Sequence, residues 1–445
     1  MRRLVILTCC LIVWMSGLGQ AGAREDYEQA YKVYIAAGAC MAAYSDRYGG
    51  LANRYLEQNG WKIEHYEQTS GGADARFLVA KHRAGDGREM YVLAIVGTEN
   101  ARDVKTNLKV DKVYFAGSTL DEFEANSQKD DMPATAPKVH RGYHQFVQAA
   151  LTASMPDGKG EPKPLSELLL ADKNRKIYLV GHSLGGAAAT LAGARLVSMG
   201  VLPEQIEIIT FGAPAVGNAA FADQCGGALD LTRVVISGDP VTGALQTLVG
   251  GYKQFGREVL WEMPATADQP HRLAEYGDLA IKKYYDQRQQ ALASGEITLP
   301  SRSGKQPGEA GIYIAPLRNN LPEALTGEFW YMQQALADQY RELVPGYLLA
   351  DAAAPAAYRK QAAAAGCKWL IIPEVRGYRA KQEKNVVYYI TLDQTVYDVS
   401  TGAVASTVSF SMGTYNLTPL EAFIHDSRGV IANQIAPLQL EGKAK

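Results

Sequence analysis

The chain changes its hydrophobic period several times. Between residues 25 and 60 the positions Tyr27, Tyr31, Tyr34, Ile35, Leu51, Tyr55 and Leu56 recur at helical spacing. From Trp61 the pattern becomes strand-like. Residues 61–66, 75–82 and 90–96 are short β-type runs, separated by Gly71-Gly72 and Gly85-Asp86-Gly87. Residues 99–137 are polar, charged and irregular, and 140–151 return to a helical pattern. Residues 176–180 form an apolar run of the buried-strand type. A Gly-rich turn, 181–186, follows it, and then a helix-forming run of small residues, 187–199. Two more apolar strands are predicted at 206–211 and 233–236. Strands alternating with helices predict an α/β fold: a mostly parallel sheet with helices on both faces.

Beyond residue 300 the texture shifts. Residues 301–321 are rich in Gly, Pro and Ser with scattered charge, and a linker is placed at 301–325. Helical patterns follow at 328–343 and 350–365. Strand-like runs come next at 368–375, 386–392 and 404–411, with a turn at Ser400-Thr401-Gly402, and a last helix is predicted at 419–434. The expected organisation is a large α/β domain over 24–300 and a small α+β domain over 326–445.

Residues 1–23 have the form of an export leader. Arg2 and Arg3 precede an apolar run of 12 residues, and Ala21-Gly22-Ala23 is a small-residue cleavage pattern. A membrane span needs about 20 apolar residues, so the run is an h-region, and the mature chain is expected to be exported. The net charge of −2 over 445 residues offers no broad basic face for nucleic acid. Three cysteines remain after the leader, with Cys40–Cys225 the first pairing to test. No HExxH, CxxC or Cys/His cluster has metal spacing, so no metal and no organic cofactor is expected.

The chemistry centres on Gly181-His182-Ser183-Leu184-Gly185. A G-x-S-x-G pattern means little alone, but here it sits between a predicted strand and a predicted helix, the setting a nucleophile elbow requires. A serine nucleophile needs a base, and the base a carboxylate to orient it. In elbow hydrolases the chain order is Ser, Asp/Glu, His. Outside the motif only His271 and His425 follow Ser183, and His425 lies beyond the expected linker. Asp239 follows the strand at 233–236, where open α/β sheets place their functional groups. Asp223, Asp230 and Asp268 are alternatives in poorer positions. The oxyanion donors should be the N–H of Leu184 and a group at the end of the 90–96 strand, where Thr98 offers both N–H and hydroxyl.

These residues lie in a series of motifs that resembles the class 3, or fungal-type, lipase family. They are Tyr91-Val-Leu-Ala-Ile-Val-Gly-Thr98, Val139-His-Arg-Gly-Tyr143, Ile177-Tyr-Leu-Val-Gly-His-Ser-Leu-Gly-Gly186, Thr210-Phe-Gly-Ala-Pro-Ala-Val-Gly-Asn218, Ser237-Gly-Asp-Pro-Val241 and His271-Arg-Leu-Ala-Glu-Tyr276. They occur in the family's order over roughly residues 30–285. The resemblance implies an α/β-hydrolase fold, Ser183 as nucleophile, Asp239 as acid, His271 as base, and Thr98 with Leu184 as oxyanion donors. It implies a lipid or small ester as substrate. Two departures bear on substrate preference: Ile95-Val96 replaces the usual Phe-Arg before Gly97-Thr98, and Ala215 stands where many relatives carry Arg. His140, although inside a motif, is read as structural.

The same resemblance implies a lid at about residues 99–115. Its apolar residues, such as Val104 and Leu108, are interleaved with Arg102, Asp103, Lys105 and Lys109. That mixture suits a transient contact with a lipid surface better than a broad seat on bulk oil, and it tilts the substrate class toward small esters or phospholipid-type esters. A non-catalytic envelope-binding protein on a hydrolase scaffold is the competing reading. It has no need of Ser183, Asp239 and His271 together in the required order.

Overall fold

The computed structural model describes residues 22–44, 53–70, 73–97, 111–131, 133, 135–155, 162–263, 269–306, 309, 311–382, 385–414 and 416–441. Most of the expected leader, Thr98, most of the expected lid, and Asp268 lie outside the described residues. Seven strands form the main sheet: β1 (Lys62–Ser70), β2 (Ala73–Arg83), β3 (Glu89–Ile95), β4 (Lys176–His182), β5 (Ile206–Phe211), β6 (Asp230–Ile236) and β7 (Arg257–Trp261). They lie side by side in chain order. β1, β2 and β3 pair antiparallel, and β3 to β7 pair parallel. The fold is an α/β hydrolase.

Alternation along the strands divides the core into two layers. Along β3 and the residue after it, Tyr91, Leu93 and Ile95 pack on one face, while Val92, Ala94 and Val96 pack on the other. Helices α1 (Ala23–Ala43), α2 (Arg141–Thr152), α3 (Leu184–Ser198) and α4 (Leu273–Ala293) cover the two faces. α2 and α3 bring Val147, Ala150, Ala188 and Leu191 to the first face. α1 and α4 bring Ala36, Ala39, Tyr276 and Ala280 to the second. β4, β5 and β6 are buried almost throughout, which explains their unbroken apolar runs.

A second sheet contains β8 (Gly311–Ile314), β9 (Arg318–Asn320), β10 (Tyr347–Leu349), β11 (Cys367–Gln382), β12 (Asn385–Asp398) and β13 (Val404–Gly413). Its order is β10-β8-β11-β12-β13, with β9 also on β11. With it go α5 (Phe329–Leu343), α6 (Tyr358–Ala364) and α7 (Pro419–Glu441). Ile371, Val375, Ile390 and Leu392 of this sheet, Leu336 of α5 and Phe423 of α7 share one apolar cluster with α1 and α4. The two sheets are therefore joined through a common core.

Two expectations are corrected, and one open pairing is settled. The linker placed at 301–325 contains β8 and β9. Its Gly-Pro-Ser texture hides a short apolar run, Gly311-Ile-Tyr-Ile314, whose strand state is decided by pairing with β11 and β10. The irregular stretch 99–137 holds a short helix, Leu120–Ser127, capped by the Thr119 hydroxyl, and a strand, Lys112–Tyr114, paired with Lys138–His140. Cys40 and Cys225 are not bridged. All three described cysteines are free and buried, and these two sit in clusters on opposite faces of the main sheet. Among the described residues no helix is long and apolar enough to cross a membrane.

Candidate active site

β4 ends at His182, and α3 begins at Leu184. Ser183 makes the whole turn between them, with φ 58° and ψ −128°. Among the described residues it is the one non-glycine with positive φ. Such a backbone costs about 1–3 kcal/mol and persists where its surroundings enforce it. The surroundings here are mostly backbone atoms. A Cβ on Gly185 would collide with the carbonyl oxygen of Ile95, and one on Gly181 with the Gly185 carbonyl. On Gly186 it would stand 2.7 Å from the Ala213 Cβ, and on Gly97 2.8 Å from the His182 oxygen. The glycines around the serine are thus required by contact between β3, β4 and α3. Ser183 occupies the N-cap position without using its side chain to cap the helix. Its hydroxyl is left for another partner.

That partner is His271. Its Nε2 lies 2.9 Å from the Ser183 Oγ. On the other side of the ring, Nδ1 lies 2.9 Å from Oδ2 and 3.0 Å from Oδ1 of Asp239. The Asp239 carboxylate is fully enclosed, while the imidazole keeps 18% exposure. A buried carboxylate needs donors, and Asp239 has them. The Val241 N–H donates to Oδ1 at 2.9 Å, and the Tyr276 hydroxyl donates to Oδ2 at 2.7 Å. Burial and the nearby Asp239 charge push the Tyr276 phenol far above its ordinary range, so it stays a neutral donor. The same oxygen accepts the Ile236 N–H at 3.1 Å, tying the phenol to β6. Gly212 clears the space above: a Cβ there would stand 2.6 Å from Asp239 Oδ2 and 3.2 Å from His271 Nδ1.

The structure brings Ser183, His271 and Asp239 into one hydrogen-bonded chain. The other candidate acids lie elsewhere. Asp223 is exposed and paired with Lys253, and Asp230 is exposed at the opposite end of β6. Leu184 holds the first position of α3, where the helix dipole favours developing negative charge. Thr98 is outside the described residues. Its neighbour Gly97 sits against the elbow and donates its N–H to the Tyr44 hydroxyl at 2.7 Å. His140 is buried and accepts the Gly142 N–H through Nδ1, and burial lowers its pKa to about 4. It caps α2.

Two residues of the site carry no role in the sequence reading. Tyr276 lies inside a motif, but its contact with Asp239 depends on where α4 begins. His182 donates from Nε2 to the main-chain oxygen of His271 at 2.8 Å, with the two rings 4.7 Å apart. Its position before the serine is visible, but its target, 89 residues away, is not.

Residues 92–247 match the model of the Lipase (class 3) family. A lipase of Caenorhabditis elegans is 44% identical over 104 residues, covering 23% of this chain and 25% of that protein. A lipase of Rhizopus niveus is 35% identical over 95 residues, covering 21% of this chain and 22% of that protein. The chain thus spans about a quarter of the length of these curated relatives. Lipase II from Rhizopus niveus, a solved structure, aligns over 55% of this chain and 83% of its own, at 22% identity and a TM-score of 0.39.

Proposed function

We propose that this chain, which belongs to the class 3 lipase family, hydrolyses lipid carboxylic esters through Ser183, His271 and Asp239. The single observation that carries the reading is the unbroken chain from Ser183 Oγ through the His271 ring to the enclosed Asp239 carboxylate.

In this reading, His271 Nε2 takes the hydroxyl proton as Ser183 Oγ attacks the ester carbonyl. Asp239 holds the Nδ1–H tautomer and stabilises the imidazolium. The carbonyl π electrons move to oxygen, and the Leu184 N–H, with Thr98 as partner, meets that charge. When the tetrahedral centre collapses, the C–O bond to the alcohol breaks and His271 returns the proton to the leaving oxygen. Water, deprotonated by His271, then cleaves the acyl-serine and releases the acid. Every step uses this chain's own residues.

The substrates proposed are acylglycerol or phospholipid-type esters, approached from a lipid surface by an exported protein. The charged lid sequence supports the phospholipid or small-ester end of that range. The division into a hydrolase domain over 24–300 and a C-terminal module, whose start moves from 326 back to β8 at 311, belongs to the same proposal. The test is hydrolysis of p-nitrophenyl esters across acyl lengths, with and without lipid micelles, by the wild type and Ser183→Ala. Wild-type turnover should fall at least 10³-fold in the variant. Equal rates in both proteins, with micelles present, would overturn the reading.

A further inference from the structure

At the opposite end of the main sheet from Ser183 lies a cavity of about 300 Å³. Its walls are Ile35, Ala36, Trp61, Met90, Val92 and Tyr178. Tyr178 precedes Ser183 by five residues along the strand and elbow, about 16 Å at strand spacing. The cavity is therefore separate from the site described above. Its volume is at the lower end for ligand pockets, about 300–1,000 Å³, and its lining is mostly apolar. It has room for one alkyl chain of medium length and not for a two-chain lipid.

The mouth is polar and positive. Lys32 lines it, and Tyr31 beside it is held through its hydroxyl by Asn59 at 3.1 Å. Lys32 Nζ lies 3.0 Å from Glu207 Oε2, and Lys176 Nζ lies 3.8 Å from the same oxygen. Two ammonium groups thus share one carboxylate, and about one-third of each lysine side chain is exposed. Glu28, also at the mouth, is neutralised by Arg24 at 2.9 Å. Lys32 is held by both Glu207 oxygens, and Lys176, the more distant partner of that carboxylate, gives the Lys32–Glu207–Lys176 cluster one positive charge in excess next to an apolar hole. A carboxylate on a hydrocarbon chain matches both features.

We propose that this cavity binds the free carboxylate form of a medium-chain fatty acid, alkyl chain inward and head group at Lys32. The inference stands on the cavity and the charge at its mouth. It does not rest on the hydrolytic reading, although that reaction would release such acids.

The test uses the full chain carrying Ser183→Ala, with decanoate and decanol as probes. Trp61, in the wall, reports occupancy by fluorescence. Decanoate should bind saturably and at least fivefold tighter than decanol. Lys32→Met, a change at a partly buried side chain that leaves Glu207 with Lys176, should weaken decanoate about fivefold and leave decanol unchanged. Val92→Phe, which fills the cavity, should weaken both at least tenfold, with folding checked by circular dichroism. p-Nitrophenyl acetate hydrolysis in the Lys32→Met and Val92→Phe proteins that retain Ser183 should equal wild type. Decanoate binding that neither variant alters would overturn the proposal. An inactive wild type that still binds decanoate in this manner would overturn the hydrolytic reading alone.

Discussion

The elbow around Ser183 and the junction between α4 and α7 are both tightly packed, by different means. At the elbow, backbone meets backbone. Gly181 and Gly185 are there because β3, β4 and α3 approach too closely for any side chain, and Gly186 because the Ala213 and Thr210 side chains crowd it. At the junction, charge meets charge. Asp278 on α4 accepts the Thr418 hydroxyl at 2.8 Å and takes Lys282 Nζ at 2.6 Å, while Lys282 also reaches Glu328 at 2.8 Å. Glu421 of α7 is fully buried, and its Oε2 accepts the Thr418 N–H at 2.8 Å. Its Oε1 has no partner among the described residues. One helix joins the two regions. α4 starts two residues after His271 and carries Glu275, Asp278 and Lys282 within its first three turns. The proposed base therefore sits at the entrance of a helix whose body is fixed by the C-terminal module.

If the elbow is held by steric contact, the smallest side chain should break it. Gly185→Ala forces a methyl group onto the Ile95 carbonyl. A loss of about 3 kcal/mol or more is expected, or no folded protein at all. Gly227→Ala, with nothing within 4 Å, should stay within about 0.5 kcal/mol of wild type. Urea unfolding of both variants makes the contrast. A Gly185→Ala protein as stable as wild type would show that the approach of β3 to α3 is looser than described.

The link between the regions is tested at Tyr276. Tyr276→Phe removes the donor to Asp239 and leaves the buried Ile236 N–H without its acceptor. A donor to a charged group contributes about 1.5–3 kcal/mol. We expect kcat to fall roughly tenfold with KM little changed, and stability to drop by about 1–2 kcal/mol. Steady-state kinetics on a soluble ester separates the two constants. A change confined to KM would place the effect in substrate binding and not in the orientation of Asp239.

How much of this is legible in the sequence follows from the same division. The elbow can be read because its constraint is local: strand, Gly-x-Ser-x-Gly, helix. The parallel strands β4, β5 and β6 can be read because burial on both faces leaves unbroken apolar runs. The order Ser183, Asp239, His271 can be read because the topology places each after a strand or at a helix start. The junction cannot. Thr418 and Asp278 lie 140 residues apart, and neither residue type announces its partner. The strands β8 and β9 are hidden for a similar reason: four and three residues long, they become strands by pairing with β11. Whether Cys40 pairs with Cys225 cannot be read either, because compartment reasoning says nothing about which face of a sheet each thiol occupies.

The smallest effect tests the junction from its orphaned oxygen. Burial, together with Asp278 and Glu275, pushes the Glu421 carboxyl well above its ordinary range, with the Thr418 N–H and Arg272 opposing. A carboxyl raised in the folded state keeps its proton where the unfolded chain, at about 4.3, has already lost it. The folded form then binds more protons than the unfolded form, so stability falls as pH rises above the ordinary carboxyl range. Glu421→Gln removes that slope. The amide can keep an oxygen for the Thr418 N–H and place its NH₂ where Oε1 lacked a partner, beside Gly277 of α4. The variant should match wild type near pH 4 and exceed it by about 1 kcal/mol at pH 8. Part of the slope should remain, because burial and Asp278 also raise Glu328, against the pull of Lys282. Urea unfolding at the two pH values measures the difference. A variant less stable than wild type at pH 8 would mean that Glu421 is ionised and paired in the folded protein, and the junction would then be a satisfied ion cluster and not a strained one.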